Sequence, residues 1–322
     1  MGSNVVPRFW ASLSNSGNVL EQHDFSLTKV NNDKHVILAA TDLHVANRGT
    51  TVNDMNQFKQ GFMVEADQFI KSQTVPVYAL ILGDMTWDYY WYTRSFALTQ
   101  YRDLMSSFAA PMFHVMGNHD NDPYYPDDFA AEAKYKKVFG PTYYSMNIGK
   151  IHYIVLDNTV YTNSGASVGT MGDRDYKKYF TQVQLQWLKD DLAAITDKST
   201  PIIVGYHCPT FNNYNATFAN SPKLAQTDVT NFVSCFTGFE DVNFLNGHSH
   251  YMANMDLTSL GVNVLEQNIT AVCETWWWSG GMTPGMNVCT DGSPSGYKVF
   301  DIDGRNIEWY FKGLYADKSK QF

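Results

Sequence analysis

A chain of 322 residues is long for one domain and short for three. Its 44% apolar, 15% aromatic and 17% charged composition supplies an extensive core, which excludes a disordered polymer and a small disulfide-stapled scaffold. A net charge of -9, from 23 basic against 32 acidic residues, leaves no basic field with which to coat nucleic acid.

Residues 1–33 mix Asn, Ser and scattered apolar residues without a sustained period, and read as an extension or linker. They begin Met1-Gly2-Ser3-Asn4, with neither the basic nor the apolar stretch of a leader. A single domain is expected over 34–313, with 314–322 a tail that starts a linker to a further domain. No apolar run is long enough to cross a bilayer, so no membrane span is expected.

From His35 the texture changes. Val36 to Ala40 is a short apolar run ending in Thr41-Asp42-Leu43-His44, as a buried strand stopping at polar groups does. Phe58, Phe62, Ala66 and Phe69 then recur at helical spacing and predict a helix from about Asn53 to Ser72. The run Pro76 to Leu82 ends in Gly83-Asp84, and Met112 to Met116 ends in Gly117-Asn118-His119-Asp120. After the strand-like segment His152 to Asp157, Thr181-Gln182-Val183-Gln184 reads as a capping box. It opens a helix with Leu185, Leu188, Leu192 and Ile195 on one face. Pro201 to Tyr206 ends in His207, and Val242 to Leu245 in Asn246-Gly247-His248-Ser249-His250. Further strands are expected at Val262 to Leu265, Tyr297 to Ile302 and Ile307 to Phe311. Alternating strands and helices with polar groups at the strand ends predict an α/β fold whose site lies beyond the carboxyl ends of the strands.

The strand-end groups Asp42, His44, Asp84, Asn118, His119, His207, His248 and His250 combine carboxylates, an amide and imidazoles without a cysteine, an inventory suited to two adjacent transition-metal ions. Any one of these histidines alone is better explained as a hydrogen-bonded core residue. Five of the nine in the chain, each within three residues of a Gly, Asp or Asn at a strand end, are not. In a strand, side chains i and i+2 share a side, which would let Asp42 and His44 converge on one ion and His248 and His250 likewise. The four cysteines, Cys208, Cys235, Cys273 and Cys289, show no CxxC spacing, so a thiolate site is not expected. Cys273 and Cys289 flank a Gly-rich loop that a disulfide between them would close in an oxidising compartment.

The ordered blocks Asp42-Leu43-His44, Gly83-Asp84, Gly117-Asn118-His119-Asp120, Gly205-Tyr206-His207 and Gly247-His248-Ser249-His250 resemble those of the calcineurin-like metallophosphoesterase superfamily, over about Asp42 to His250. The resemblance implies a two-sheet β-sandwich flanked by helices and two divalent metal ions (Mn, Zn or Fe). One ion would be held by Asp42, His44 and His250, the other by Asn118, His207 and His248, with Asp84 bridging. It further implies hydrolysis of a small-molecule phosphoester by a metal-bridging hydroxide, with His119 protonating the leaving group. Asp88 and Asp120 are both candidates to orient His119. Trp87 stands where the family's protein phosphatases carry a second Asp, so a protein phosphatase is not expected, and where its purple acid phosphatases carry the Tyr that ligates ferric iron, so no charge-transfer colour is expected either. Ser279-Gly280-Gly281, Gly292 to Tyr297 and Phe311-Lys312-Gly313 resemble the end of bacterial multidomain metallophosphoesterases with an immunoglobulin-like N-terminal domain, which implies an extracytoplasmic enzyme.

For substrate contacts, Arg48 offers a bidentate donor to phosphate, and Trp276, Trp277 and Trp278 offer rigid faces on which a sugar or base would stack. Three adjacent Trp cannot all face one way, so at least one belongs to the core. Beside the phosphoesterase reading stand a nucleotidase or pyrophosphatase using the same site, and a non-catalytic carbohydrate-binding module with a structural metal. The sequence leaves the oligomeric state undetermined.

Overall fold

The computed structural model describes residues 31–49, 53–211, 226–274, 277, 288–289 and 291–314. Strand β1 (Lys34–Ala40) is followed by α1 (Asp54–Phe58), which runs through one π-helical stretch at Lys59–Met63 into α2 (Val64–Ser72). Then come β2 (Val77–Ile81), α3 (Leu98–Leu104), β3 (Met112–His114), α4 (Asp128–Ala131) and α5 (Ala133–Phe139). The middle of the chain adds β4 (Tyr144–Ile148), β5 (Ile151–Val155), β6 (Thr159–Ser164), β7 (Asp173–Lys178), α6 (Gln182–Ala193), β8 (Ile202–Gly205) and α7 (Gln226–Ser234). It closes with β9 (Val242–Asn246), β10 (Ala253–Asp256), β11 (Val264–Asn268), β12 (Gly296–Asp303) and β13 (Asn306–Gly313).

These strands form a five-stranded sheet in the order β13-β12-β1-β2-β3 and a six-stranded sheet in the order β10-β11-β9-β8-β5-β4. A separate hairpin joins β6 to β7. Each large sheet has a parallel block, β1-β2-β3 in one and β5-β8-β9-β11 in the other; antiparallel strands β12 and β13 extend the first on one side, and β4 and β10 flank the second on both.

The alternation along β1 explains the layers. Val36, Leu38 and Ala40 join Phe58, Phe62 and Ala66 in a core on the helix side, whereas Ile37 and Ala39 join Val155, Ile203 and Leu245 in a core between the sheets. Both faces of the strand are buried, so the run is apolar without interruption. A third core packs α6 and α7 on the outer face of the second sheet through Leu185, Leu188, Val229 and Phe232. The fold is therefore the two-sheet β-sandwich flanked by helices that the resemblance implies. Thr181 caps α6, its hydroxyl accepting from Gln184 N at 3.3 Å. The other half of the box is not formed, because the Gln184 amide binds the Asp157 backbone instead, at 2.8 and 2.6 Å, fixing the end of β5.

The Cys273–Cys289 pairing that the sequence left open is not formed. Both are buried thiols engaged elsewhere, Cys289 Sγ 2.8 Å from Thr270 Oγ1 and Cys273 Sγ 3.7 Å from His250 Nδ1.

Candidate metal centre

The parallel strands of both sheets end on one side of the molecule, and the polar groups after β1, β2, β3, β8 and β9 meet there. The two sheets are stitched at this point. His207 Nδ1, after β8, bonds Leu82 O after β2 at 2.8 Å, and His248 N, after β9, donates to Asp42 Oδ2 after β1 at 2.7 Å.

Strand alternation is not what aims these side chains. Asp42, His44, Asp84, His248 and His250 all lie past the strand ends in left-handed backbone, with φ of 52°, 43°, 51°, 67° and 52°. Five residues other than glycine in that region is local strain of a kind that concentrates at functional sites. Backbone hydrogen bonds hold it, among them Asp42 N to Gly83 O at 3.1 Å and His44 N to Asp84 O at 2.9 Å. Gly117 and Gly247 let the loops approach so closely. A Cβ on Gly117 would overlap the Asp84 backbone N and Oδ1, and one on Gly247 would overlap Thr41 Oγ1.

The side chains form two groups that share one carboxylate. In the first, Asp42 Oδ1 lies 3.3 Å from His250 Nε2 and 3.6 Å from His44 Nε2, and the two Nε2 atoms are 3.2 Å apart. In the second, the rings of His207 and His248 stand 5.1 Å apart. Asp84 Oδ2 sits between the groups, 3.1 Å from His207 Nε2 and 3.5 Å from His44 Nε2. Asn118 is buried on the wall of the same cavity.

A metal fits this donor set. Asp42 Oδ1, Asn118 Oδ1 and His207 Nε2 are buried without a well-formed hydrogen bond, which is costly unless something else satisfies them. The Nδ1 atoms of His207 and His250 are fixed by carbonyls, of Leu82 and Glu274, at 2.8 Å each, which directs Nε2 inward. Burial pushes His44 down to about 4, so it is a neutral donor. Burial opposes ionisation of Asp42 and Asp84, but the surrounding imidazoles outweigh it, His250 foremost for Asp42 and His207 for Asp84, and hold both carboxyls well below their usual range. Burial likewise lowers His207, yet Asp84 prevails and raises it to about 9. The protons shared in these pairs are those that a divalent ion displaces. Two thiols also come close: donor atoms of Cys273 with His44 and His250, and of Cys208 with His207 and His248, lie within 4.8 Å of one another.

His119 stands beside these groups. Its backbone N donates to Asp84 Oδ1 at 2.8 Å, and its Nδ1 lies 2.7 Å from Asp88 Oδ1. Burial works against its protonation, but Asp84 and Asp88 together overcome both burial and Arg174, and its imidazolium is favoured above the ordinary value. Of the two carboxylates left open by the sequence, Asp88 orients His119. Asp120 instead accepts from the backbone N of Met85, Thr86 and Gly117, at 3.0, 3.3 and 2.9 Å.

A cavity of about 220 Å³ opens onto the site, lined by Asp84, Asp88, Asn118, His119, Tyr161, Arg174, Asp175, Tyr176, His248 and His250. Among the described residues, two of the expected substrate contacts, Arg48 and Trp277, do not line it. Arg48 is buried over the Trp87 ring, 5.0 Å from its centroid and 3.6 Å from Asp54 Oδ2. Trp277 is a core residue, its indole donating to Leu43 O at 2.8 Å and its edge against Phe58. Trp276 and Trp278 lie outside the described residues. Sequence reasoning missed Tyr161, Arg174 and Tyr176, which the β6–β7 hairpin carries. The available signal was the strand-like alternation of Arg174, Tyr176 and Lys178 after the turn containing Gly165, Gly169 and Gly172.

The chain matches the model of the calcineurin-like phosphoesterases over residues 35–252, and that of the C-terminal region of calcineurin-like phosphoesterases over 266–322. It is 28% identical over 125 residues to purple acid phosphatase 23 of Arabidopsis thaliana, a stretch covering 36% of this chain and 24% of that protein. Its fold resembles that of a dimetal phosphatase from Danio rerio, with a TM-score of 0.57, 12% identity, and 87% and 96% of the two chains covered. With the family match extending over more than half of its length, the chain belongs to the calcineurin-like phosphoesterases, metal-dependent hydrolases of phosphoric esters.

Proposed function

We propose that the protein is a dinuclear phosphoesterase in which Asp42, His44 and His250 hold one divalent ion, Asn118, His207 and His248 hold the second, and Asp84 spans both. The observation that carries this reading is the place of Asp84 Oδ2, between His207 Nε2 at 3.1 Å and His44 Nε2 at 3.5 Å. Two bound ions would supply Lewis-acid polarisation of the phosphoryl oxygens and acidify the attacking water. The chain's own groups supply the rest. His119, held by Asp88 and favoured as imidazolium, donates a proton to the departing alkoxide. Trp87 stands edge-on to both His44 and His119, with ring centroids 6.4 Å apart in each case, and walls that side of the site. A nucleotidase or pyrophosphatase would use the same groups on a different leaving group.

The test is hydrolysis of a chromogenic phosphomonoester and its matching diester by metal-stripped protein re-supplied separately with manganese, zinc, iron and magnesium, with bound metal counted. Turnover should appear only with metal, at two ions per chain. A protein that binds no metal would overturn the reading.

The family match to the C-terminal region agrees with the tail resemblance in its coarse form. The bacterial, extracytoplasmic, multidomain form is part of the same proposal, and native cells should yield the enzyme in a periplasmic or secreted fraction.

A further inference from the structure

Strand β7 reads Asp173-Arg174-Asp175-Tyr176-Lys177-Lys178. Its alternation leaves Asp173, Asp175 and Lys177 exposed and turns Arg174, Tyr176 and Lys178 inward. Arg174 and Tyr176 line the cavity beside the metal groups. The Arg174 guanidinium pairs through Nη1 with Asp88 Oδ2 and lies 5.5 Å from the centroid of the Tyr89 ring, its side chain 24% exposed. Arginine carries five N–H donors, so this one keeps capacity for a ligand in the cavity. Asp175, the acid of this strand that borders the cavity, turns its Oδ1 to Tyr176 N at 2.8 Å.

Lys178 is the second cation on this face. Its Nζ is 3.0 Å, and Tyr176 Oη 3.1 Å, from His248 Nε2. That ammonium contact needs a lone pair on Nε2. If His248 binds an ion through Nε2 the lone pair is used, and if it binds through Nδ1 the ring proton sits on Nε2, which then donates to Tyr176 Oη. In either case Lys178 loses its acceptor once the ion is bound, and its charge becomes available to an anion.

We propose that the β6–β7 hairpin selects the substrate, Arg174 and Lys178 together favouring the dianionic phosphate of a monoester over the monoanionic phosphate of a diester. A monoester presents three non-bridging oxygens and about two negative charges to these donors, and a diester two oxygens and one charge. The proposal rests on the phosphoesterase reading above, and its experiment separates the two. Wild type, Arg174→Gln and Lys178→Met, each loaded with metal and its metal counted, are compared on a nitrophenyl phosphomonoester and the matching diester. Binding of orthophosphate to the same samples is measured by calorimetry.

Wild type should prefer the monoester. Arg174→Gln should lose about tenfold or more in orthophosphate affinity and in monoester kcat/KM, mainly through KM, against less than about threefold on the diester, as expected for one charge-assisted contact. Lys178→Met should shift the same way with its metal content intact. A wild type that prefers the diester, or variants that lose both esters equally while binding orthophosphate normally, would overturn the proposal, because Arg174 would then act only by holding Asp88. If the wild type cleaves neither ester, the phosphoesterase reading falls, and the orthophosphate affinities still decide whether the hairpin recognises the anion.

Discussion

Asp84→Ala is expected to lose metal and turnover together: bound metal falls from two ions to at most one, and the rate drops by about four orders of magnitude or more, as for groups that act as a unit. Asp84 Oδ2 is the atom common to the two donor groups, and Oδ1 also anchors the backbone of His119. Its removal leaves His207 fully buried without the carboxylate that raises it to about 9, and breaking a buried pair costs about 3–5 kcal/mol. Asp84→Asn is therefore the companion variant. It keeps the shape and an acceptor for His119 N but not the charge, so circular dichroism and a thermal melt distinguish lost metal from lost fold. A folded variant that retains two ions and a near wild-type rate would sink the bridging role.

His119→Ala should separate what Asp84→Ala removes together. Both ions stay, because the two donor groups are complete without His119, while kcat on an alkyl phosphoester falls by about 10²–10⁴-fold, the usual worth of general acid catalysis. The loss on a nitrophenyl ester should be much smaller, since nitrophenolate leaves without a proton. Asp88→Asn tests the same chemistry by a smaller step. A general acid must be protonated to act, and the carboxylates of Asp84 and Asp88 raise His119 above its ordinary value, extending activity to higher pH. Removing the Asp88 charge lowers that value, so the basic limb of the pH profile of kcat/KM should move to lower pH while its acidic limb stays. An alkyl ester cleaved by His119→Ala at the wild-type rate would remove His119 from the proposed mechanism.

The candidate site was legible in the sequence because apolar strands buried on both faces end abruptly where polar groups begin. Val36 to Ala40 and Pro76 to Leu82 mark their own ends, and so place Asp42 and Asp84 at the edge of the sheet. The same rule located Asn118, His207 and His248. The fold class followed from the alternation of strands and helices, reinforced by the order of the motifs. The means of convergence was not legible, since it depends on left-handed backbone at Asp42, His44, Asp84, His248 and His250, which contacts across the two sheets enforce. The choice of Asp88 over Asp120 was equally hidden. Asp120 adjoins His119 in the chain and Asp88 stands 31 positions away, and only the loop geometry turns the distant carboxylate to imidazole Nδ1 and the adjacent one to backbone amides.

The sequence by itself determined the inventory and order of donor groups, and through its apolar runs the strands that carry them, because those are properties of local pattern, whereas the two-sheet layering was implied by the family resemblance. The tertiary structure decided which aromatic and cationic residues face the cavity. It buries Arg48 against Trp87 and Trp277 in the core, and brings Arg174 from the distant β6–β7 hairpin to Asp88, 86 positions away in the chain. Such contacts join segments with no local relation, and their geometry exists only once both sheets and the hairpin have packed.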